Sequence, residues 1–404
     1  MSQVKFIIRE PLLDPQERVL GYELTWHQNA EESGRPSMAE VGERLAFVSE
    51  RLNDQDSGWM LGDNLLFLEV TPELLSLDVL EGLSPKSTVL TMSLADLAHP
   101  DAQAEAKILR EAGYGIALHD APFDAQDKTI LALITHIEAS FGSPDFVTQA
   151  RVYGSLGQST VRLVARKVSS WQEFDSCAAL GVDAFVGQLY LTARPGVKAS
   201  GLNPAQVMIL QLMEMVRKNA DVRQLESILR RDAAISYKLL RYINSVGFGL
   251  GAEIQSLRHA VTMLGYSPLY RWLSLLLATA STAGHSPVLM QTAVIRGRFA
   301  ELLGHGFLPK NEAENLFVAG MFSLLDRLLG IPMEEVLENL QLSEPVEQAL
   351  LSREGMYGPF LALAEACESK DGGAGDLADS LFISPKQVNE AHLAALAWAQ
   401  NLKL

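Results

Sequence analysis

The chain of 404 residues lacks several features that mark particular classes of protein. It has two cysteines, Cys177 and Cys367, far apart in the sequence. Two isolated thiols exclude a disulfide framework or a cysteine metal cluster and favour a reducing compartment. The longest aliphatic run, at 272–280, is much shorter than the roughly 20 residues that a membrane span needs, and the N-terminal segment lacks the apolar stretch of a signal peptide. We therefore expect a cytoplasmic protein that does not cross a membrane.

Common catalytic motifs are also missing from the sequence. No G-x-S-x-G, P-loop or G-x-G-x-x-G occurs, so nothing indicates a nucleophilic hydrolase or a dinucleotide-binding α/β domain. The eight histidines are scattered, and no two stand four residues apart as a zinc-binding helix requires. The one His-Asp dipeptide, His119-Asp120, follows a strand-like segment and does not lie on a helix, as the pair of an HD hydrolase would. We interpret it as a remnant at the mouth of a barrel, the fold that the first half is predicted to have. We predict no catalytic residue, no metal site and no cofactor.

Positive charge is scarce. The net charge is −16 at pH 7, with −12 in residues 1–198 and −4 in residues 199–404. Neither half has the surplus of Lys and Arg on which nucleic-acid binding depends. A basic stripe within residues 217–231 leaves a nucleic-acid surface open as an alternative, but we favour a solvated helix face. We predict no nucleic-acid partner.

The composition and the pattern of the first half predict an α/β domain. With 48% hydrophobic and 20% charged residues, the chain is globular, and its length suits two domains. Short apolar segments alternate with helical patterns such as 38–52, 102–112, 128–141 and 171–180, which indicates a parallel sheet. About eight strands suit a barrel. The candidate strands are Val4–Ile8, Val19–Leu24, Leu65–Val70, Val89–Met92, Gly115–Leu118, Phe146–Val147, Thr160–Ala165 and Ala184–Val186.

The second half is predicted to be all-α. Residues 194–204 are rich in turn formers, so we place the domain boundary there and expect domains at 1–198 and 199–404. Beyond it the strand signals stop, and residues 370–376 read as a loop. The predicted helices are 204–218, 222–230, 232–245, 256–264, 268–281, 287–303, 312–329, 332–340 and 343–353, with others near 357–368 and 384–402.

Several segments of the first half resemble the EAL family, whose members are TIM-barrel phosphodiesterases of cyclic di-GMP. The segment VLGYEL (19–24) resembles the opening hairpin of that family and places Glu23 at the Glu of its naming motif. FLEVTP (67–72), GYGIALHD (113–120) and QLYLTARP (188–195) resemble later motifs. The resemblance implies a TIM-barrel-like domain over about residues 4–195.

The same comparison indicates that the chemistry of the family has been lost. Such a hydrolase needs two divalent cations held by acidic and amide side chains. Glu69, Thr91 and His119 replace expected ligands, and Arg166 stands where a carboxylate is expected. His27 replaces an arginine that would bind a phosphate. The matching positions that remain are Glu23, Asp120 and Gln188, which we take as candidate ligand-binding remnants.

The second half resembles the HDOD family, a helical relative of the HD phosphohydrolases without the metal-binding His-Asp pair. The carrying segment is Asp232–Gly265, two helical patterns around an Asn-Ser-Val-Gly turn, with Asp232 and Ser256 as expected N-caps and Asn244 and Gly265 as helix ends. Residues 316–326 stand where an HD enzyme carries its His-Asp helix, but apolar and hydroxyl residues occupy the place of the pair.

Together the resemblances imply a bacterial signalling protein without catalysis of its own, an EAL-like barrel joined to an HDOD domain. We expect it to bind other signalling proteins, and the sequence leaves a homodimer open. An apolar patch at Trp272–Leu277 is one docking hypothesis, although a leucine-rich core helix explains this segment better. Two alternatives stay open: a cyclic di-GMP receptor that uses the old barrel mouth, and a weak metal-dependent cyclic di-GMP phosphodiesterase.

Overall fold

The computed structural model divides the chain into two compact units. The first comprises Met1–Arg194 together with Glu368–Lys370, and the second comprises Pro195–Cys367 and Asp371–Leu404. The predicted boundary at residue 198 lies outside the described residues and stays a prediction. The structure describes residues 5–26, 37–54, 58–119, 128–144, 146–148, 150, 161–192, 194–195, 202–244, 254–280, 287–340, 342–369 and 373–402.

Eight strands of the described residues close into a barrel, in which the first strand in the sequence lies between the second and the last of the eight. Seven of them run parallel, and side chains such as Phe67, Val89 and Val164 fill the interior. The predicted barrel is thus confirmed. Its strands are β1 Ile7–Leu13, β2 Val19–Trp26, β5 Leu65–Glu69, β6 Thr88–Ser93, β7 Gly115–His119, β8 His136–Ser140, β9 Arg162–Arg166 and β10 Ala184–Val186, while β3 Asn53–Asp54 and β4 Gly58–Trp59 form a separate ribbon.

The first strand departs from the predicted parallel sheet. Strand β1 runs antiparallel to both of its neighbours, β2 and β10. The connection between β1 and β2 consists of residues 14–18. It is too short for the crossover that parallel strands need, so these two strands are antiparallel. The Asp14 carboxylate stabilises the turn by accepting hydrogen bonds from the backbone nitrogens of Gln16 and Arg18, at 2.8 and 2.9 Å. The opening hairpin implied by the family resemblance is therefore present.

Two predicted elements of the first half are wrong. A helix is predicted over 128–141, whereas the structure has helix α4 over Lys128–Leu133 followed by strand β8. The strand is buried from His136 to Ala139. The buried residues Ile130, Ile134 and Ile137 recur at helical spacing across the junction, so the apolar pattern of α4 continues into the strand. Conversely, Phe146 and Val147 are helical, not extended.

Helices of the first unit follow the strands and bury one face each. Helix α1 begins with a capping box, in which Ser37 and Glu40 bond each other's backbone nitrogens. Its apolar residues Val41, Leu45 and Val48 recur at helical spacing and are buried. The helices of this unit are α1 Met38–Leu52, α2 Leu94–Leu97, α3 Pro100–Ala112, α4 Lys128–Leu133 and α5 Trp171–Ala179.

Strand β8 begins at a buried histidine that makes the stability of the barrel depend on pH. The His136 ring lies edge-on to the Phe67 ring, with centroids 5.1 Å apart. Burial, aided by the charges of Arg162 and Arg110, lowers the pKa of His136 from 6.5 to about 4. The unfolded chain therefore takes up this proton near pH 6.5, and the folded chain only near pH 4. Stability that is complete above pH 6.5 is lost as the pH falls through that window.

Replacement of His136 should remove this dependence. Between about pH 7 and pH 4, the native chain should lose on the order of 2–3 kcal/mol more free energy of unfolding than His136→Gln. Urea titrations at a series of pH values measure the difference. The exposed His99 is the matched control, and His99→Gln should keep the native slope. Equal slopes in both variants would contradict the assignment.

The second unit is helical throughout its described part. The predicted helices are found, except that 312–329 is broken at Ser323 and Leu324. The loop predicted at 370–376 is wrong at its end, because residues 374–376 begin a further helix. The helices are α6 Pro204–Arg217, α7 Val222–Leu229, α8 Ala233–Ile243, α9 Leu257–Leu264, α10 Tyr266–Thr279, α11 Pro287–Gly304, α12 Lys310–Phe322, α13 Leu325–Leu329, α14 Met333–Leu340, α15 Glu344–Ser352, α16 Gly358–Ala366, α17 Ala374–Ser380 and α18 Pro385–Gln400.

The expected caps around the Asp232–Gly265 segment are confirmed. The Asp232 carboxylate accepts hydrogen bonds from the first turn of α8, and the Ser256 hydroxyl accepts one from His259 N. Asn244 ends α8 and clamps the chain that returns, because its side chain both donates to and accepts from the backbone of Ile254, at 2.8 and 2.7 Å. Gly265 follows α9 with a φ of 86°, a left-handed value that favours glycine.

The apolar patch proposed at Trp272–Leu277 is core. Trp272, Leu273 and residues 275–277 each expose 1% or less of their surface. They lie on α10, so they stabilise the unit by packing and offer no docking surface. Among the described residues, no helix is both long enough and apolar enough to span a membrane.

Candidate functional site

Two carboxylates and one guanidinium meet at the C-terminal ends of the barrel strands. Arg166, the last residue of β9, forms ion pairs through its two terminal nitrogens. One nitrogen contacts the Glu23 carboxylate of β2, and the other lies 2.7 Å from Glu138 Oε2 of β8. The Glu138 side chain is 3% exposed and the Arg166 side chain 18% exposed. The mouth of the barrel thus holds a largely buried ion-pair cluster of Glu23, Glu138 and Arg166.

Electrostatics lock this arginine in its charged form. Burial alone would lower the pKa of Arg166, but the charges of Glu23, Glu138 and Glu10 outweigh it and raise the pKa above the ordinary value. Glu10 faces Glu23 across the β1–β2 pairing. Because a cation is surrounded by anions at short range in a poorly hydrated place, the cluster is strongly held.

A second guanidinium lies close to the same mouth. Arg44 of α1 is 1% exposed, and it donates a hydrogen bond to the backbone oxygen of Glu69 at 2.8 Å. Burial lowers the pKa of Arg44, while the charges of Glu69 and Glu23 raise it. Glu69, which replaces a family amide, therefore has an internal cation beside it.

Two of the three predicted ligand-binding residues lie in the part of the chain that the structure describes. Glu23 lies at the mouth and is bound to Arg166. Gln188 follows β10, and its side-chain nitrogen donates a hydrogen bond to the backbone oxygen of Glu368, 3.1 Å away in the same unit. Asp120 lies outside the described residues, as does His27. Glu138 was not predicted as a site residue, because its strand was assigned to a helix.

The described residues do not fit the divalent cations that an EAL-type barrel implies. The Arg166 guanidinium lies between Glu23 and Glu138, two carboxylates that could hold such an ion. Its positive charge repels a divalent cation. Thr91, where a carboxylate is expected, is buried and cannot supply negative charge. In the part of the chain that the structure describes, no group of three His, Cys, Asp or Glu side chains is suited to bind a metal ion.

A buried arginine also contacts the segment 316–326, where an HD enzyme would carry its metal-binding pair. Arg296 of α11 is 3% exposed and donates hydrogen bonds to the Ser323 hydroxyl and to Glu365, both at 2.8 Å. Arg353 contacts the same Glu365 carboxylate at 2.8 Å. The helical unit therefore has its own buried polar cluster, which consists of Arg296, Ser323, Arg353 and Glu365.

Comparison with protein families agrees with the helical architecture. Residues 202–341 match the model of the HDOD domain. The chain carries an HDOD domain. This domain covers the Asp232–Gly265 segment and extends to the end of α14, so the resemblance found in the sequence is confirmed for this region.

Two curated proteins are similar to the chain over nearly its whole length. Cyclic di-GMP phosphodiesterase CdgJ of Vibrio cholerae is 26% identical over 415 residues, which cover 98% of this chain and 93% of that protein. The uncharacterized protein YuxH of Bacillus subtilis is 25% identical over 408 residues and is covered to 98%, as is this chain. Both similarities therefore cover the barrel and the helical region of this chain.

Solved structures with some likeness to the chain are EAL proteins. An EAL domain protein from Listeria monocytogenes is 12% identical, with a TM-score of 0.33, and the match covers 46% of this chain and 86% of that one. Klebsiella pneumoniae BlrP1, in a complex with calcium and cyclic di-GMP, is 17% identical, with a TM-score of 0.36, and the match covers 46% and 54% of the two chains.

Proposed function

We propose that this chain is a signalling protein of cyclic di-GMP-related regulation that does not hydrolyse the dinucleotide and acts by binding other proteins. One observation carries the proposal: the Arg166 guanidinium is held between Glu23 and Glu138, where a hydrolase would need divalent cations. Such ions would activate water and neutralise the charge of a phosphodiester, and the positive charge of Arg166 repels them. The similarity to CdgJ supports the signalling context.

Hydrolysis is the second candidate function, because CdgJ is named a phosphodiesterase. The two are separated by incubating the full chain with cyclic di-GMP and Mg²⁺ or Mn²⁺ and by measuring linear dinucleotide chromatographically. We expect no product above the buffer rate. Product that disappears in Glu23→Ala but persists in the variant of an exposed glutamate, Glu81→Ala, would establish the enzyme and end the proposal.

Binding without hydrolysis is tested in the same preparation. Both arginines near the mouth are committed to internal carboxylates or carbonyls, so we expect no strong phosphate contact from them. Calorimetric titration with cyclic di-GMP, with and without Mg²⁺, should give no binding heat. Saturable heat that Glu23→Ala or Arg166→Met changes would identify a receptor site at the mouth. Light scattering on the same sample determines whether the protein is a homodimer.

A further inference from the structure

A cavity opens in the helical unit, away from the Arg296 cluster. It has a volume of about 330 Å³ and lies between the C-terminal end of α6, the N-terminal end of α10, the middle of α12 and the start of α15. This volume is at the lower end of the roughly 300–1,000 Å³ that small-molecule sites occupy. The residues that determine its chemistry are Arg217, Tyr266, Tyr270, Arg271, Glu314 and Asn315.

The charge of this cavity is opposite to that of the whole protein. Two arginines, Arg217 and Arg271, line it together with one carboxylate, Glu314, among the residues that the structure describes. The Glu314 carboxylate already accepts a hydrogen bond from the Ser267 hydroxyl. In a chain with a net charge of −16, this is a local excess of positive charge. An anion is therefore the ligand that the cavity attracts.

The charges behind the cavity leave this excess unchanged. Arg271 contacts Glu301 at 2.6 Å, and Arg298 contacts the other oxygen of the same carboxylate at 2.8 Å. Two guanidiniums thus share one carboxylate. The first turn of α10, which includes Tyr266 and Ser267, also faces the cavity, and the N-terminal end of a helix carries partial positive charge.

Rings and amides provide the rest of the lining. The Tyr266 hydroxyl donates a hydrogen bond to the backbone oxygen of Ala220 at 2.6 Å, which fixes the orientation of its ring. Burial raises the pKa of Tyr270 to about 12, so this phenol is neutral and adds no negative charge. The Asn315 amide is oriented by a hydrogen bond to the Tyr357 hydroxyl at 2.9 Å. Ordered aromatic faces and an amide suit a planar, polar ring.

We propose that this cavity binds a nucleoside monophosphate, with its phosphate at Arg217 and its base against Tyr266 and Tyr270. The planar fork of arginine matches the phosphate oxygens. The volume accommodates one base with one phosphate, which distinguishes this site from one for a cyclic dinucleotide. The proposal rests on the helical unit alone and does not depend on the function proposed for the barrel.

Calorimetric titration of the full chain at low salt tests this site. The probes are GMP, AMP, guanosine and inorganic phosphate. We expect GMP or AMP to bind at least about tenfold more tightly than either fragment, since both the phosphate and the ring contribute. Arg217→Gln should weaken nucleotide binding by about tenfold or more. Both Arg217 and Arg223 are exposed, so neither change should impair folding, and Arg223→Gln is the matched control.

The outcomes decide between a nucleotide site and a surface crevice. Binding that is weakened by Arg217→Gln and kept in Arg223→Gln supports the proposal. The absence of binding heat with both nucleotides would overturn it. Equal affinity for inorganic phosphate and GMP, or equal effects of the two substitutions, would also overturn it, because a general electrostatic attraction explains those results.

Discussion

Arg166→Met is expected to destabilise the barrel by about 3–5 kcal/mol, the usual cost of breaking a buried ion pair by removing one partner. The substitution keeps much of the side-chain volume but leaves Glu138, at 3% exposure, without its cation. The negative charges of Glu23 and Glu10, which also act on Arg166 in the native protein, would then repel that of Glu138. Arg44 remains near Glu23 and offsets part of that repulsion, so Glu138 should account for most of the loss.

The measurement is the free energy of unfolding from urea titration. Arg162 lies on the same strand but is exposed, so Arg162→Met is the matched control and should change stability little. The deficit of Arg166→Met should shrink at acidic pH, because protonated carboxyl groups no longer repel each other and the folded variant then gains protons relative to the unfolded chain. Equal losses in the two variants, or a deficit that does not depend on pH, would contradict the role assigned to the cluster.

The same cluster shows how far the sequence could predict the site. Arg166 was recognised as an obstacle to metal binding, because a cation stood where a motif has a carboxylate. Its partner Glu138 was not recognised, since Ile130, Ile134 and Ile137 carry a helical spacing into the short strand that holds it. An ion pair between β2 and β9 joins residues 143 apart in the sequence, and only the closed barrel brings them together.

Gln188 illustrates a second limit. Its position in the motif predicted a ligand-binding remnant, a statement about sequence order alone. The folded chain brings the backbone of Glu368 to its amide, 180 positions later in the sequence. No local pattern predicts such a contact. The assignment of Gln188 as a ligand-binding residue therefore stays a prediction.

The helical unit was easier to predict because its signals are local. Apolar spacing gave the helices, and Asp232, Ser256 and Asn244 gave their ends through hydrogen bonds within a few residues. The error at 312–329 has a physical reason. The apolar pattern continues through Ser323, but the Ser323 hydroxyl donates to Gly320 O at 2.6 Å and accepts from Arg296 where the helix ends. That acceptor role comes from another helix, so periodicity could not reveal it.

The close contact between helices α11 and α12 requires glycine at position 320. Gly320→Val should therefore lower the free energy of unfolding of the helical unit by about 3 kcal/mol. A Cβ atom at Gly320 would lie 2.8 Å from both Arg296 O and Gly297 Cα, so backbone and not a flexible side chain would have to move. A Cβ at Gly297 would lie 2.8 Å from Phe317 O, so the two helices are in close contact from both sides. Separating them would also lengthen the bond from Arg296 to Ser323.

Urea titration again measures the loss, and Gly42→Ala is the control for a helical glycine with room beside it. The nearest atoms to a Cβ at Gly42 are 3.8 and 3.9 Å away, so this change should stabilise α1 by up to about 1 kcal/mol through helix propensity. Opposite signs for the two substitutions would show that steric contact, and not glycine as such, sets the spacing of α11 and α12. A Gly320→Val protein as stable as the native chain would mean that the helices can separate without cost. The Arg296 cluster would then not depend on their close approach.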